Sequence, residues 1–278
     1  MKPFIDHRFS SLFVLFFAAF IIDACSPKPY ATANKSYKEQ TKKYANALRE
    51  IPAEVWVSDS SKLPPFWVGT TNFGMRKPNF VIIHHTAQNS CDQTLQTFTT
   101  VKSAVSAHYV ICKDGTLHHM LNDYLRAQHA GVSRWGNLID INSSSIGIEL
   151  DNTGFEPFDS LQVNSLLSLL AKLKKDYNIP TANFIGHGDI APTRKNDPNY
   201  RFPWKILSDR GFGLWFDDTR EEVPAAFNHI QALRIVGYDV KDTTAAIRSF
   251  KRHFLQDTTK WINEVDRSVL YNLQKKYM

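Results

Sequence analysis

The stretch Phe80-Val81-Ile82-Ile83-His84-His85-Thr86-Ala87 decides the fold, because it joins a short apolar run directly to two histidines. The run follows Pro78 and is largely β-branched, which is the pattern of a strand buried on both faces. The sequence therefore predicts a central β-strand that presents His84 and His85 at its carboxyl end.

Two segments further along the chain have the periodicity of elements packed beside such a strand. Ser145-Ile146-Gly147-Ile148-Glu149-Leu150 alternates like a strand, so Glu149 is predicted to lie on the face opposite the apolar residues. From Ser160 onward, apolar residues recur at the spacing of a helix packed on a sheet, and they are Val163, Leu166, Leu167, Leu170, Leu173 and Tyr177.

The rest of the region up to Leu207 alternates between strands and helices. The predicted elements are a short helix that Asp92 can cap, two strands over 108–112 and 116–121 joined by a turn, a short strand over 183–186, a long loop over 187–201 and a helix that begins at Pro203. This order predicts an α/β fold with a mixed central β-sheet flanked by helices, in two or three layers.

The chain beyond Gly213 has a different character, with three short amphipathic helices over roughly 224–236, 243–255 and 263–277. Gly237 ends the first helix, and Asp242 can cap the second. We therefore predict a small all-α C-terminal domain.

The N-terminus predicts export. Lys2 and Arg8 precede eleven apolar residues over 12–22, the length of a signal-peptide core and too short to span a bilayer. The run ends in Ile22-Asp23-Ala24-Cys25-Ser26, which resembles a bacterial lipobox, although Asp23 is unusual there. The resemblance implies that Cys25 carries lipid and tethers a periplasmic protein to the outer membrane. An ordinary cleaved signal peptide with an incidental cysteine is the alternative.

The chain is thus divided into four predicted parts. They are a signal peptide and lipobox over 1–25, a tether followed by a packed segment over 26–70, a catalytic domain over 71–210 and the helical domain over 219–278. The segment over 26–70 is polar at first and then rich in proline and aromatic residues, without a helical or strand period.

Composition narrows the choice of partners. The net charge of +6 suits an anionic partner such as lipid or a cell-wall polymer, but no dense Lys/Arg block is present, so nucleic-acid binding is not predicted. Cys91 and Cys112 could pair in an oxidising compartment, but the sequence does not place their Cα atoms within reach, so whether they pair stays open at this point. We expect a monomer.

Three potential metal ligands come together if the strand ends meet, namely His84, His187 and Asp197, with Lys195 two residues before the last. Two imidazoles and one carboxylate form a recurrent catalytic zinc set that leaves one position for water. The spacing alone is a weak signal, because a single histidine is more often structural than a ligand.

The order of motifs makes the signal specific. They are His84-His85-Thr86-Ala87, Ser106-Ala107-His108-Tyr109, His129-Ala130-Gly131-Val132-Ser133-Arg134-Trp135, Ser145-Ile146-Gly147-Ile148-Glu149 and the run from Gly186 to Pro198. Together they resemble the type-2 zinc N-acetylmuramoyl-L-alanine amidase family, which is related to phage amidase-type lysozymes and peptidoglycan recognition proteins. The resemblance covers about 79–207.

The resemblance implies roles for individual residues. It makes His84, His187 and Asp197 ligands of Zn²⁺, Glu149 the acid and base, and Lys195 the group that stabilises the oxyanion. It also places His129, Arg134 and Trp135 beside the cleft as candidates for substrate binding, with a loop packed for its own stability as the alternative.

The implied reaction is hydrolysis of the amide bond between N-acetylmuramic or anhydromuramic acid and L-alanine, in cell-wall degradation or recycling. The partners are then peptidoglycan or muropeptides. A non-catalytic recognition protein of the same fold is the alternative, although all three ligand positions hold competent residues. The C-terminal helices resemble the peptidoglycan-binding module of some outer-membrane amidases, with a stabilising appendage as the alternative. Departures from the usual motifs concern the cleft walls, at Ala107, Gln128, Thr193 and Asn199.

Overall fold

The computed structural model of this chain describes residues 29–50, 70–217 and 221–277. The chain divides into two compact units, Met1–Thr71 and Asn72–Met278. The predicted signal peptide and lipobox lie outside the described residues. None of the described helices is long and apolar enough to cross a membrane.

The first unit contains helix α1, Ala31–Ala47, which the sequence did not predict. The helix buries none of its residues, so it lacks the apolar stripe on which the prediction of helices relied. Its alanine, lysine, glutamine and glutamate residues favour helix by intrinsic propensity instead. The described start of the predicted tether is therefore helical.

The second unit is built on a five-stranded sheet with the order β3-β2-β4-β1-β5. The strands are β1 (Phe80–His85), β2 (Tyr109–Ile111), β3 (Leu117–His119), β4 (Ser145–Leu150) and β5 (Phe184–Gly186). Strand β1 pairs in parallel with both β4 and β5, and β2 pairs in parallel with β4. Strand β3 pairs with β2 in the antiparallel direction. The mixed central sheet is as predicted.

Both faces of β1 are buried, which confirms the reading of its apolar run. Val81 and Ile83 pack into the larger core cluster, together with helix α4 (Ser160–Tyr177), whereas Ile82 packs into a smaller cluster on the other face. Helix α4 contributes Leu166 and Leu170, both fully buried, and burying each contributes about 2 kcal/mol. The sheet is therefore held between two apolar layers.

The predicted short helices are present with shifted ends, whereas the helices Ile141–Ser144 and His187–Ile190 were not predicted, and the second lies in the predicted loop over 187–201. Helix α2 is Cys91–Thr99, and its cap is Ser90, whose Oγ accepts from the Gln93 N–H, rather than Asp92, which lies in the first turn. The other helices of this region are α3 (Ile141–Ser144), α5 (His187–Ile190) and α6 (Trp204–Asp209). Two 3₁₀ turns occupy Val101–Ser103 and Thr181–Asn183.

Cys91 and Cys112 form a disulfide with their Cα atoms 5.4 Å apart, which answers the question that the sequence left open. The bond joins the first residue of α2 to the residue that follows β2. Their sequence separation of 21 residues gives no hint of this closeness, because it arises when α2 packs beside the sheet. Closing a loop of this size stabilises a fold by about 3 kcal/mol.

Three helices follow the sheet, α7 (His229–Val236), α8 (Thr243–Leu255) and α9 (Glu264–Tyr277). Helix α7 begins later than predicted because Asn228 caps it, accepting from the backbone N–H groups of Ile230 and Gln231. The helices share an apolar core that also receives Trp135 and Trp215. They belong to the same compact unit as the sheet, so the boundary between a catalytic and a helical domain stays a prediction.

Candidate active site

The parallel pairing of β4, β1 and β5 brings the candidate residues to one edge of the sheet. His84 near the end of β1 is the register partner of Glu149 near the end of β4, and His187 directly follows β5. The buried strands fix these positions, because a shift by one residue would turn every apolar side chain to the wrong face. Asp197 reaches the same point from the loop after α5.

His84, His187 and Asp197 form a compact triad of ligand atoms. The two Nδ1 atoms are 2.9 Å apart, and Asp197 Oδ2 lies 3.1 Å from the first and 3.0 Å from the second. All three side chains are buried. Atoms at these separations lie on a circle of radius about 1.7 Å, so one ion at the usual Zn–N and Zn–O distance of about 2.0–2.2 Å can contact all three.

Hydrogen bonds at the far side of each imidazole leave its Nδ1 free to bind a metal. His187 donates from Nε2 to the Ala130 carbonyl at 3.0 Å. His84 Nε2 lies 3.0 Å from His129 Nδ1, and His129 Nε2 lies 3.1 Å from Ser145 Oγ. Ser145 in turn donates to the Ile141 carbonyl. Because Ser145 uses its proton on that carbonyl, His129 donates from Nε2 and accepts at Nδ1, so His84 carries its proton on Nε2. Hydrogen-bond partners of metal-bound histidines commonly fix the tautomer in this way.

Three acceptor atoms therefore face one another with no proton left to bridge the two nitrogens. Such a group is stable around a cation, and its two nitrogen donors and one carboxylate suit Zn²⁺. Burial, and next the charge of His187, lowers the pKa of His84 to about 4, so this imidazole is neutral at pH 7, as a ligand must be. The residues present thus fit a zinc ion.

The second group of potential ligands in the described part of the chain is Cys91, Cys112 and His118. Because the two sulfur atoms are bonded to each other, they are not available as thiolates. The His84 group is therefore the better metal site.

Glu149 lies beside the triad, and its carboxyl group is not fully hydrogen-bonded. Its Oε1 lies 4.0 Å from His84 Nδ1, and its Oε2 is buried without a hydrogen-bond partner. Burial, and next the charge of Asp197, raises the pKa of Glu149 to about 8, while Lys195 opposes the rise. A bound dication would oppose it further. A carboxyl group whose pKa lies near neutral pH can both accept a proton and donate it again.

These residues line a cleft of about 320 Å³. Exposed Lys195 and part-buried His129 lie in its wall with the triad and Glu149. Most of the remaining wall is polar, with some apolar surface; it includes Gln88, Thr94, Thr97, Phe98, Val105, Ser106, Gln128 and Asn196. A cleft with this lining suits a polar, extended substrate that offers amide and hydroxyl groups.

Arg134 and Trp135 are not among the residues that line this cleft, and their role in substrate binding stays a prediction. Arg134 Nε is 4.0 Å from Asp239 Oδ2, and the Trp135 ring lies edge-on to Tyr238 at 5.1 Å. Trp135 also packs on Gly237, which a larger residue could not do, since an added Cβ would lie 2.4 Å from the indole. Both side chains are partly exposed and contact residues of the C-terminal part.

Two cleft residues had no predicted role. Arg194 donates from Nε to the Val132 carbonyl and from a terminal nitrogen to the Ala130 carbonyl, and so holds the loop that carries His129. His85 Nδ1 accepts from the backbone N–H of Asn199. Both residues lie inside the motifs, but neither the spacing nor the residue type indicates whether such a side chain holds a loop in place or faces solvent.

The protein is thus an α/β protein with a His₂Asp group, able to hold a metal ion, at the edge of a mixed sheet. Residues 74–200 match the family model described as N-acetylmuramoyl-L-alanine amidase. The chain is 32% identical to N-acetylmuramoyl-L-alanine amidase AmiD of Escherichia coli (strain K12), over 63% of this chain and 74% of that protein. The chain therefore belongs to the N-acetylmuramoyl-L-alanine amidase family.

Other relatives support the same family assignment. The chain is 39% identical to the 1,6-anhydro-N-acetylmuramyl-L-alanine amidase AmpD of E. coli, over 36% of this chain and 55% of that protein, so it spans about half of AmpD. The crystal structure of AmpDh3 from Pseudomonas aeruginosa aligns with a TM-score of 0.68 at 28% identity, covering 80% of this chain and 99% of that one. The predicted family, fold class and enzyme class are confirmed, and the chain is an N-acetylmuramoyl-L-alanine amidase.

Proposed function

We propose that this amidase is zinc-dependent and cleaves the bond between the lactyl group of N-acetylmuramic or anhydromuramic acid and the L-alanine of the stem peptide. The observation that carries the proposal is the triad of His84, His187 and Asp197, whose acceptor atoms converge without a proton between the two nitrogens. When bound there, zinc supplies Lewis-acid polarisation of the scissile carbonyl and acidifies a water molecule.

Glu149 moves the proton in this proposal. Its Oε2 faces no partner within the protein and can accept a proton from the attacking water. With its pKa near neutrality, the same carboxyl group can then donate that proton to the leaving L-alanine nitrogen, which completes the cleavage. Lys195 lies in the same wall and places a positive charge where the carbonyl oxygen becomes negative.

The substrate is proposed to include soluble anhydro-muropeptides. AmiD from E. coli was solved with the substrate anhydro-N-acetylmuramic acid-L-Ala-D-γ-Glu-L-Lys, and its structure aligns with a TM-score of 0.66 at 27% identity, covering 75% of this chain and 93% of that one. AmpDh3 was solved with an anhydromuramic pentapeptide. The polar cleft described above is compatible with such a peptide.

Zinc analysis and product analysis together test this proposal. Purified protein should contain close to one zinc per chain by elemental analysis, and His187→Ala should lose it. Zinc-loaded protein should release L-alanine-terminated peptides from anhydro-muropeptides and from sacculi, as identified by mass spectrometry. Full zinc in His187→Ala would move the metal elsewhere, and binding without cleavage would favour a recognition protein.

We also propose that the protein is exported to the periplasm and anchored in the outer membrane through lipid on Cys25. The support is the apolar run over 12–22 that ends in the lipobox-like sequence before Ser26. Cells labelled with an alkyne fatty acid should mark the wild-type protein but not Cys25→Ala. Equal labelling of the two would refute the anchor and favour an ordinary signal peptide.

A further inference from the structure

Asp189 lies two residues after the metal ligand His187, and its buried carboxylate is held mainly by the C-terminal helices. Oδ2 accepts from the Gly186 backbone N–H at 2.8 Å and from His253 Nδ1 at 2.7 Å. Oδ1 accepts from the Tyr238 hydroxyl at 2.9 Å. Two of these three donors therefore come from beyond the sheet, and each is almost fully buried.

The turn that contains Asp189 holds both metal ligands of this part of the chain. Helix α5 begins with His187 itself, and the bond from Gly186 N–H to Asp189 closes its first turn. Within the same helix, the backbone N–H of Gly188 donates to the Asp197 carbonyl at 2.6 Å. A displacement of Asp189 would therefore move His187 directly and Asp197 through Gly188.

Helix α8 approaches the same turn from the other side. Ser249 donates to the Gly188 carbonyl at 2.7 Å. The Arg252 guanidinium lies so close that a Cβ added at Gly188 would be 2.6 Å from one of its nitrogens. The His253 ring stacks on Trp204 of α6, with centroids 3.8 Å apart and planes within 9°. The stacking fixes the direction in which His253 donates.

We propose that His253 and Tyr238 are positioning residues for the zinc site, which they hold in shape through Asp189. This inference rests on the proposed zinc dependence. If the C-terminal helices only stabilised the fold, the apolar core that α7, α8 and α9 share would be enough for that role. Here three polar side chains, His253, Tyr238 and Ser249, converge on the one turn that carries a metal ligand.

The test measures zinc affinity in the full-length protein, by competition with a chelating dye. Tyr238→Phe removes one hydroxyl but keeps the ring against Trp135, and His253→Ala removes the donor to Oδ2. Loss of an outer partner of a metal site typically weakens binding 10–100-fold. Because Asp189 intervenes, we expect the dissociation constant to rise about tenfold in His253→Ala and about threefold in Tyr238→Phe.

Two further readouts separate positioning from stability. His253→Asn places an amide N–H near the site of Nδ1 and should restore affinity to within about threefold of wild type. With Co²⁺ in place of zinc, the visible absorption bands should shift in Tyr238→Phe and His253→Ala, because these bands depend on ligand geometry. Leu273→Ala, in the apolar core of α9, should lower the unfolding temperature but leave affinity and bands unchanged.

The outcomes are distinguishable. If the wild type binds zinc and both variants keep its affinity and cobalt spectrum, positioning is refuted while zinc dependence stands. Equal changes in Leu273→Ala would also refute it, since loss of stability would then explain them. If the wild type binds no zinc, the proposed function fails and this inference fails with it. Should His253→Ala not fold, Tyr238→Phe decides.

Discussion

Replacing Glu149 by glutamine tests the proton carrier of the reaction. Glutamine keeps the shape of the side chain but has no basic oxygen, so the variant should retain zinc and substrate binding. Positioned proton transfer typically contributes 10²–10⁴-fold to a rate. We expect kcat to fall about 10²-fold or more, which corresponds to about 2.7 kcal/mol in the activation free energy.

The same substitution should stabilise the metal-free protein in alkaline solution. The pKa of Glu149 is raised from 4.5 to about 8, and a tenfold change in proton affinity corresponds to 1.36 kcal/mol. The folded state thus binds this proton more tightly than the unfolded state does. Its contribution to stability is present below pH 4.5 and is lost as the pH rises through 8, a change on the order of 5 kcal/mol at most.

Glutamine cannot lose that proton, so Glu149→Gln should exceed the wild type in free energy of unfolding at pH 9 and match it near pH 4. Urea unfolding of chelator-treated protein at the two pH values measures this, and mass spectrometry of muropeptide digests measures turnover. Glu156→Gln is the matched control, because Glu156 is paired with Lys113 at 2.9 Å outside the cleft. Wild-type turnover by Glu149→Gln with full zinc would refute the assigned role.

Three other substitutions test separate parts of the site. Lys195→Met should keep zinc but lose about 10²-fold in kcat through the unstabilised oxyanion, and unchanged turnover in muropeptide digests would exclude that role. His129→Ala removes the partner of His84 Nε2 and should raise the zinc dissociation constant about tenfold in dye competition, whereas a change in KM alone would favour substrate binding. A double replacement of Cys91 and Cys112 by serine should cost about 3 kcal/mol in urea unfolding and leave zinc affinity unchanged.

The sequence predicted which residues meet at the site because strands position three of them. The apolar run before His84 and the alternation around Glu149 place both at strand ends, and parallel pairing then brings those ends together. His187 follows a third strand of the same sheet. Asp197 lies on a loop, and its spacing from His187 was only a weak signal, since no periodicity constrains a loop.

Other features depended on contacts that no local pattern encodes. The disulfide forms because α2 packs beside β2, and 21 residues of intervening sequence say nothing about that approach. Trp135 was predicted to lie beside the cleft, but its ring packs against Tyr238 and Gly237. A tryptophan that contacts substrate and one that packs against neighbouring residues have the same residue type, so only the tertiary structure separates them.

The arrangement of charges explains why the triad needs rigid surroundings. Without a cation, the acceptor atoms of His84, His187 and Asp197 lie within 3.1 Å of one another, next to the buried carboxyl of Glu149. Such a cluster is unfavourable, so a flexible fold would relax by separating the ligands. Strand β1 holds His84, and the turn at Asp189 holds His187 and, through Gly188, Asp197. Zinc should consequently stabilise the folded protein by about 1.4 kcal/mol for each tenfold rise in free zinc above the dissociation constant, because the unfolded chain does not keep the three ligands together.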